Sequence, residues 1–209
     1  MLSLLDILDE LAKHRPIFHS EADFQHALAW GIQKAHPEYS IRLEYPIAIS
    51  RKHIHVDIIV LFQGETIAIE LKYFKHYLNI NIDDEHFTLK NHAADDVCRY
   101  NFLYDVQRLE ELTSQRNNCS GIAILLTNAP LLWTPPATHT TLQNDIQFRL
   151  HEGITLQGTL SWGKAYSPDT PGSQPITLRN SYHTRWIPYS QIADERGGTF
   201  QYLLFSITK

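Results

Sequence analysis

HIHVDIIVLFQGETIAIELKY, residues 53–73, is the stretch from which the fold of this chain can be read. Two runs rich in Ile and Val flank the turn signal Gln63-Gly64-Glu65-Thr66, the pattern of a β-hairpin. Ionisable residues interrupt both runs. Asp57 falls in the first strand, and Glu70 and Lys72 fall in the second, where Ile67, Ala68, Ile69 and Leu71 predict burial on both faces. Taking charges out of water is costly, and packing alone seldom explains three of them in apolar strands.

Side chains alternate along a strand, and directly opposed residues share a face. With an even-numbered loop, Gln63 pairs with Thr66 or Phe62 with Ile67, and either choice sets Asp57 opposite Lys72 and Ile59 opposite Glu70. Asp57, Glu70 and Lys72 then converge on one side, with the two carboxylates as diagonal neighbours roughly 7–8 Å apart at most between backbones. Such a pair can share a hard divalent cation, whose oxygen ligands lie at about 2.0–2.1 Å for Mg²⁺. An odd-numbered loop without a bulge would turn Glu70 to the opposite face and dissolve the site.

An Asp in one strand (Val56-Asp57) followed after a hairpin by Glu-x-Lys in the next (Glu70-Leu71-Lys72) resembles the PD-(D/E)xK nuclease superfamily. Val56 stands where that superfamily usually has Pro, a departure that removes no ligand. The resemblance implies a restriction-endonuclease-like fold, an α/β (α+β) mixed sheet whose core runs helix, three strands, helix, strand. It implies hydrolysis of a phosphodiester bond, most readily in DNA, with Mg²⁺ as cofactor and Mn²⁺ as substitute. Asp57, Glu70 and the Leu71 carbonyl would ligate the metal. Lys72 would position or deprotonate the attacking water and stabilise charge on the phosphate. Many members carry a further acid on the preceding helix, and Glu21 is the candidate for that place. A helix after the Glu-x-Lys strand commonly lends polar residues, here Tyr104, Gln107 and Arg108, to position phosphate. Asp105 and Arg108 can alternatively form an internal i,i+3 pair.

The 209 residues suffice for one substantial domain, with the nuclease-like core at 19–128 and a β-rich C-terminal extension at 129–209. No apolar run approaches a membrane span, no signal peptide is legible, and Cys98 and Cys119 form no C-x-x-C. A cytoplasmic protein with reduced thiols is expected. Net charge is −5, which weighs against a phosphate-backbone binder unless the acids gather at a metal site beside a local basic strip. The 12 histidines add charge below about pH 6.5.

Outward from the hairpin, helical spacing over residues 3–13 predicts an amphipathic helix with Ser3 as N-cap. A second helix is expected from about Ser20, its N-cap, to His36, with Phe24, Ala27, Leu28 and Ile32 facing inward and Glu21 on the same side. Residues 41–49 read as a strand, at an edge or bulged because Pro46 has no N–H. Residues 74–92 read as an excursion or mobile loop beside the site. Residues 93–115 form the longest helix, with Val97, Phe102, Val106, Leu109 and Leu112 supplying much of an apolar face, and 121–128 form a buried strand beside the hairpin. Beyond Pro130 the signal weakens to a short helix within 139–150, strands at 154–162, 183–189 and 199–207, and a loop from Ser167 to Pro175.

Two rivals stand beside the nuclease. His53-x-His55-x-Asp57 has one parity along the strand, so it offers a zinc constellation, a DNA contact through His55, or no more than structural or exposed histidines. The other is a nuclease-like fold serving as a binding or assembly subunit of a defence or mobile-element complex. Expected partners are DNA and, for assembly, a second copy or another protein, but no membrane.

Overall fold

A computed structural model describes residues 2–49, 52–92, 94–136, 144–163, 172–194 and 196–209. The described elements are α1 (Leu4–His14), α2 (Glu21–Ala35), β1 (Ser40–Ile49), β2 (Lys52–Phe62), β3 (Glu65–Phe74), β4 (Leu78–Ile82), β5 (Glu85–Leu89), α3 (Asp95–Gln115), β6 (Cys119–Thr127), α4 (Pro130–Trp133), β7 (Thr155–Leu160), β8 (Ile176–His183), β9 (Trp186–Gln191) and β10 (Thr199–Ile207). A 3₁₀ turn covers Ile146–Phe148.

β2 and β3 form the expected hairpin, turned through Gln63 and Gly64 alone. Both have positive φ, 48° and 82°, as a type I′ turn requires. Phe62 pairs with Glu65 and Ile59 with Ala68, so the register lies two residues from the expected one, and Ile59 is not opposite Glu70. Because side chains repeat every two residues, a two-residue slip preserves every face.

The main sheet has six strands in the order β1-β2-β3-β6-β10-β9. β3 and β6 are parallel, joined through α3, and the remaining neighbours are antiparallel. The fold is therefore mixed α/β with a mixed sheet. β1 lies at an edge, which accommodates Pro46. The C-terminal third supplies β9 and β10 to this same sheet, so it completes the core rather than hanging from it.

Each face of the sheet buries its own core. On one side Leu8, Phe24, Leu28 and Ile32 of α1 and α2 meet Ile58, Val60, Ile69, Leu71, Ile124 and Tyr202. On the other, Phe102, Val106, Leu109 and Leu112 of α3 meet Ile59, Ala68, Ala123, Leu125 and Phe205. α2 starts as its sequence dictates: the Ser20 side chain accepts from Asp23 N–H at 3.1 Å. Ser3 precedes α1 but makes no side-chain cap bond.

Four expectations need correction. Residues 74–92 are not a loop: β4 and β5 pair from Leu78↔Leu89 to Ile82↔Glu85, and Leu78, Phe87 and Leu89 are buried in the core that α1 and α2 also enter. Their alternation is masked by Asn, Asp and His on the outer face. Val97, expected on the inner face of α3, is exposed. β8 was not foreseen, because its polar residues Arg179, Asn180 and Ser181 interrupt the apolar pattern. Within 139–150 the described helix is only the 3₁₀ turn at 146–148; residues 137–143, and 167–171 of the expected loop, lie outside the described part.

Candidate active site

The site begins with a break in the sheet. β1 and β2 pair from Ser40↔Leu61 to Leu43↔Ile58 and again from Tyr45↔Val56 to Ile49↔Lys52, skipping Glu44 and Asp57. Glu44 has φ of 48°, a left-handed conformation uncommon outside glycine. The strands change face there. Ile58 and Val60 enter the core under α1 and α2, whereas Val56, of the same parity, enters the core under α3. In β1, likewise, Ile41 and Leu43 reach the first core and Ile47 and Ile49 the second.

Pairing of β2 with β3 also stops here, at Ile58↔Ile69. The rest of β3 is left with a free edge. A strand residue points its N–H and C=O toward the same edge, so Leu71 and Tyr73 present unladdered backbone groups. Carboxylates take the place of the missing strand: Leu71 N–H donates to Asp57 Oδ2 at 2.6 Å, and Tyr73 N–H donates to Glu21 Oε2 at 2.7 Å. The Leu71 carbonyl, on this edge, accepts from Lys72 Nζ at 3.3 Å.

Glu70 and Lys72 meet α3. Lys72 Nζ is 2.9 Å from Asp105 Oδ2, Arg108 Nη1 donates to Asp105 Oδ1 at 2.8 Å, and Arg108 Nη2 lies 3.1 Å from Glu70 Oε1. The same Arg108 nitrogen donates to the His55 carbonyl at 3.1 Å. Glu70 and Asp105 are each only 4% exposed, so these charges interact with little solvent screening. Glu70 Oε1 and Asp105 Oδ2 nevertheless lack an aligned hydrogen-bond partner among the described residues, their cations being close but badly angled.

Burial pushes the Glu70 carboxyl up to about 9, helped by the negative charges of Asp105 and Asp57 and opposed by Arg108. Burial also raises Asp57, against the Leu71 N–H that donates to it and the nearby Lys72 ammonium. Burial pulls Lys72 down, but Asp105, Glu21 and Asp57 outweigh it and hold the ammonium above the ordinary lysine range. Lys72 is thus fixed in its charged form, suited to orienting and stabilising anions rather than to taking a proton.

Asp57 and Glu21 therefore meet β3 at the Leu71 and Tyr73 backbone, and Glu70 and Lys72 of the same strand meet α3. The phosphate-positioning candidates fare differently. Gln107 Oε1 accepts from Thr177 N–H at 2.6 Å and so ties α3 to β8. Tyr104 is exposed and stacks on Tyr100, with ring centroids 6.2 Å apart. Arg108 enters the charge network through both Asp105 and Glu70. His53 and His55 are exposed on the ribbon beyond the break, so shared parity does not group them with Asp57. Sequence reasoning missed Asp105 as the partner of Lys72, because a helix register carries no information on which strand residue it will face.

The donor set suits one kind of metal. Among the described residues no three His, Cys, Asp or Glu side chains cluster closely enough to hold an ion by themselves. Mg²⁺ does not require such a cage, since it commonly binds through one or two carboxylates and keeps several waters. Asp57, the unaligned Oε1 of Glu70 and the Leu71 carbonyl supply hard oxygens of that type. A narrow cleft of about 200 Å³ reaches this edge, lined by Glu21, Lys72, Tyr73, Phe74, His92 and Cys98 among others. No helix among the described residues is long and apolar enough to cross a membrane. Comparison with protein-family models, curated proteins and solved structures finds no match to this chain.

Proposed function

We propose that the protein is a divalent-cation-dependent phosphodiester hydrolase acting on DNA, with Asp57, Glu70 and Lys72 as its catalytic residues. One observation carries this reading: the Asp57 and Glu21 carboxylates replace a strand's acceptors on the free edge of β3, beside buried Glu70 and a Lys72 ammonium held 2.9 Å from Asp105. Purely structural strands have no use for that arrangement, because uncharged residues would bury at lower cost. The order α2, β1 to β3, α3, β6 further supports a restriction-endonuclease-like core.

In this reading Asp57, Glu70 and the Leu71 carbonyl hold Mg²⁺, or Mn²⁺ in its place. The ion, when bound, polarises a phosphoryl oxygen and acidifies water. Lys72 orients the scissile phosphate and stabilises the charge that develops on it. Asp105 keeps the ammonium charged and in place. Glu21, exposed at the start of α2 yet bonded to Tyr73 N–H, orients water at the mouth of the cleft. Arg108 neutralises Glu70 from the α3 side.

The test is cleavage of plasmid, linear duplex and single-stranded DNA in Mg²⁺, Mn²⁺ or EDTA by wild type, Lys72→Ala and Asp57→Ala. Metal-dependent cutting by the wild type, lost in both variants, is the expected result. A second reading, a nuclease-like binding or assembly subunit, draws on the fact that Lys72 and Arg108 already have internal partners and that net charge is −5. It would be favoured by a folded wild type that cuts none of these substrates but binds DNA equally well with Lys72→Ala.

A further inference from the structure

The break that frees the edge of β3 is held by one side chain from another element. Gln25 of α2 is 6% exposed, and its Nε2 donates to Glu44 Oε1 at 2.8 Å and to the Asp57 carbonyl at 2.7 Å. These are the two residues that the pairing of β1 with β2 skips. Regular antiparallel pairing here would give Asp57 a ladder position and send its side chain to one face of the sheet. With its carbonyl drawn toward α2, Asp57 instead has its carboxylate in the gap, accepting from Leu71 N–H. A strained φ at Glu44 persists only where the surroundings enforce it, and the Gln25 amide is bonded to that residue's own carboxylate.

We propose that Gln25 is the positioning residue for Asp57: by clamping Glu44 and the Asp57 backbone it aims the Asp57 carboxylate at the cation site on the β3 edge. The assignment rests on the hydrolase reading above. Gln25 touches neither substrate nor ion and works through the backbone of its neighbour, as residues behind a metal ligand commonly do.

The experiment is Mn²⁺ titration by isothermal calorimetry, run beside cleavage assays across Mn²⁺ concentration. It compares wild type, Gln25→Met, which keeps the side-chain volume without the donor, and Glu44→Gln, which keeps an acceptor oxygen. Gln25→Met is expected to weaken Mn²⁺ binding roughly tenfold or more and to shift the Mn²⁺ dependence of cleavage by a similar factor, while Glu44→Gln leaves both near wild type. Urea denaturation of the same samples separates a structural role, which would lower the midpoint and leave Mn²⁺ affinity untouched. If Gln25→Met does not fold, Glu44→Ala removes one arm of the clamp at an exposed position, and weaker Mn²⁺ binding is expected there too. Unchanged affinity in the folded variant, with an active wild type, overturns the positioning role alone. A wild type that neither binds Mn²⁺ nor cuts DNA overturns the hydrolase reading and this role with it.

Discussion

Replacing Glu70 by Gln should remove most of the pH dependence of stability between pH 7 and 9 in the metal-free protein. An unfolded Glu titrates near 4.5, whereas burial and the charges of Asp105 and Asp57 push folded Glu70 up to about 9. The folded state therefore keeps a proton that the unfolded state has lost. Linkage then fixes the sign: stability is highest below about pH 4.5 and falls as pH rises toward about 9. The slope for one proton is at most about 1.4 kcal/mol per pH unit, so two units remove up to roughly 2–3 kcal/mol of a total near 5–15. The shifted histidines and cysteines act outside this window, and comparison with Glu70→Gln isolates the Glu70 share from Asp57 and from Lys75, which burial lowers from 10.5. His92 and His151 are lowered and act below their ordinary value of 6.5, Asp57 is raised from 3.8, and Cys98 and Cys119 act above 9. Urea denaturation in EDTA at pH 7, 8 and 9 would measure the slope. A wild-type profile flat across that range, or a Glu70→Gln profile as steep as the wild type's, would falsify the account of a proton kept on buried Glu70.

Asp145 is buried between Arg99 Nη1 at 2.7 Å and Arg149 Nη2 at 3.2 Å, so Asp145→Ala leaves two guanidiniums without their counter-ion. A loss of about 3–5 kcal/mol is expected, and a urea midpoint within error of wild type would count against it. Ile69 is fully buried between β2 and β6, and Ile69→Ala should cost about 2–5 kcal/mol by the same measurement. Ser20→Ala removes the side-chain bond to Asp23 N–H and should cost about 1 kcal/mol, read as a lower thermal midpoint with unchanged far-ultraviolet circular dichroism.

The hairpin was legible because its information is local. Gly64 supplies a positive φ, the flanking Ile and Val residues supply the strands, and parity assigns the faces. The two-residue slip in register left those faces intact for the same reason. Ser20, Phe24, Leu28 and Ile32 likewise announced α2, and the interrupted order of helix, hairpin, helix and strand announced β6 as a strand beside the hairpin. The hairpin at 78–89 and the strand at 176–183 were hidden because each is apolar on one face only and short, with polar residues spoiling a clean alternation.

The sequence by itself determined the mixed α/β class, the hairpin and the places of Asp57, Glu70 and Lys72 on its two strands, since turn chemistry and side-chain period act over a few residues. Tertiary structure decided what each of those groups touches. It set Asp105 and Arg108 of α3 against Lys72 and Glu70, and it stopped β2 short of the end of β3, so that Asp57 and Glu21 replace a strand's acceptors. It also placed Gln25 on the break at Glu44 and Asp57. Those contacts join residues 14 to 52 positions apart, from Asp57 and Leu71 out to Glu21 and Tyr73. No local propensity specifies such pairs, because they form only when helices dock on opposite faces of a finished sheet.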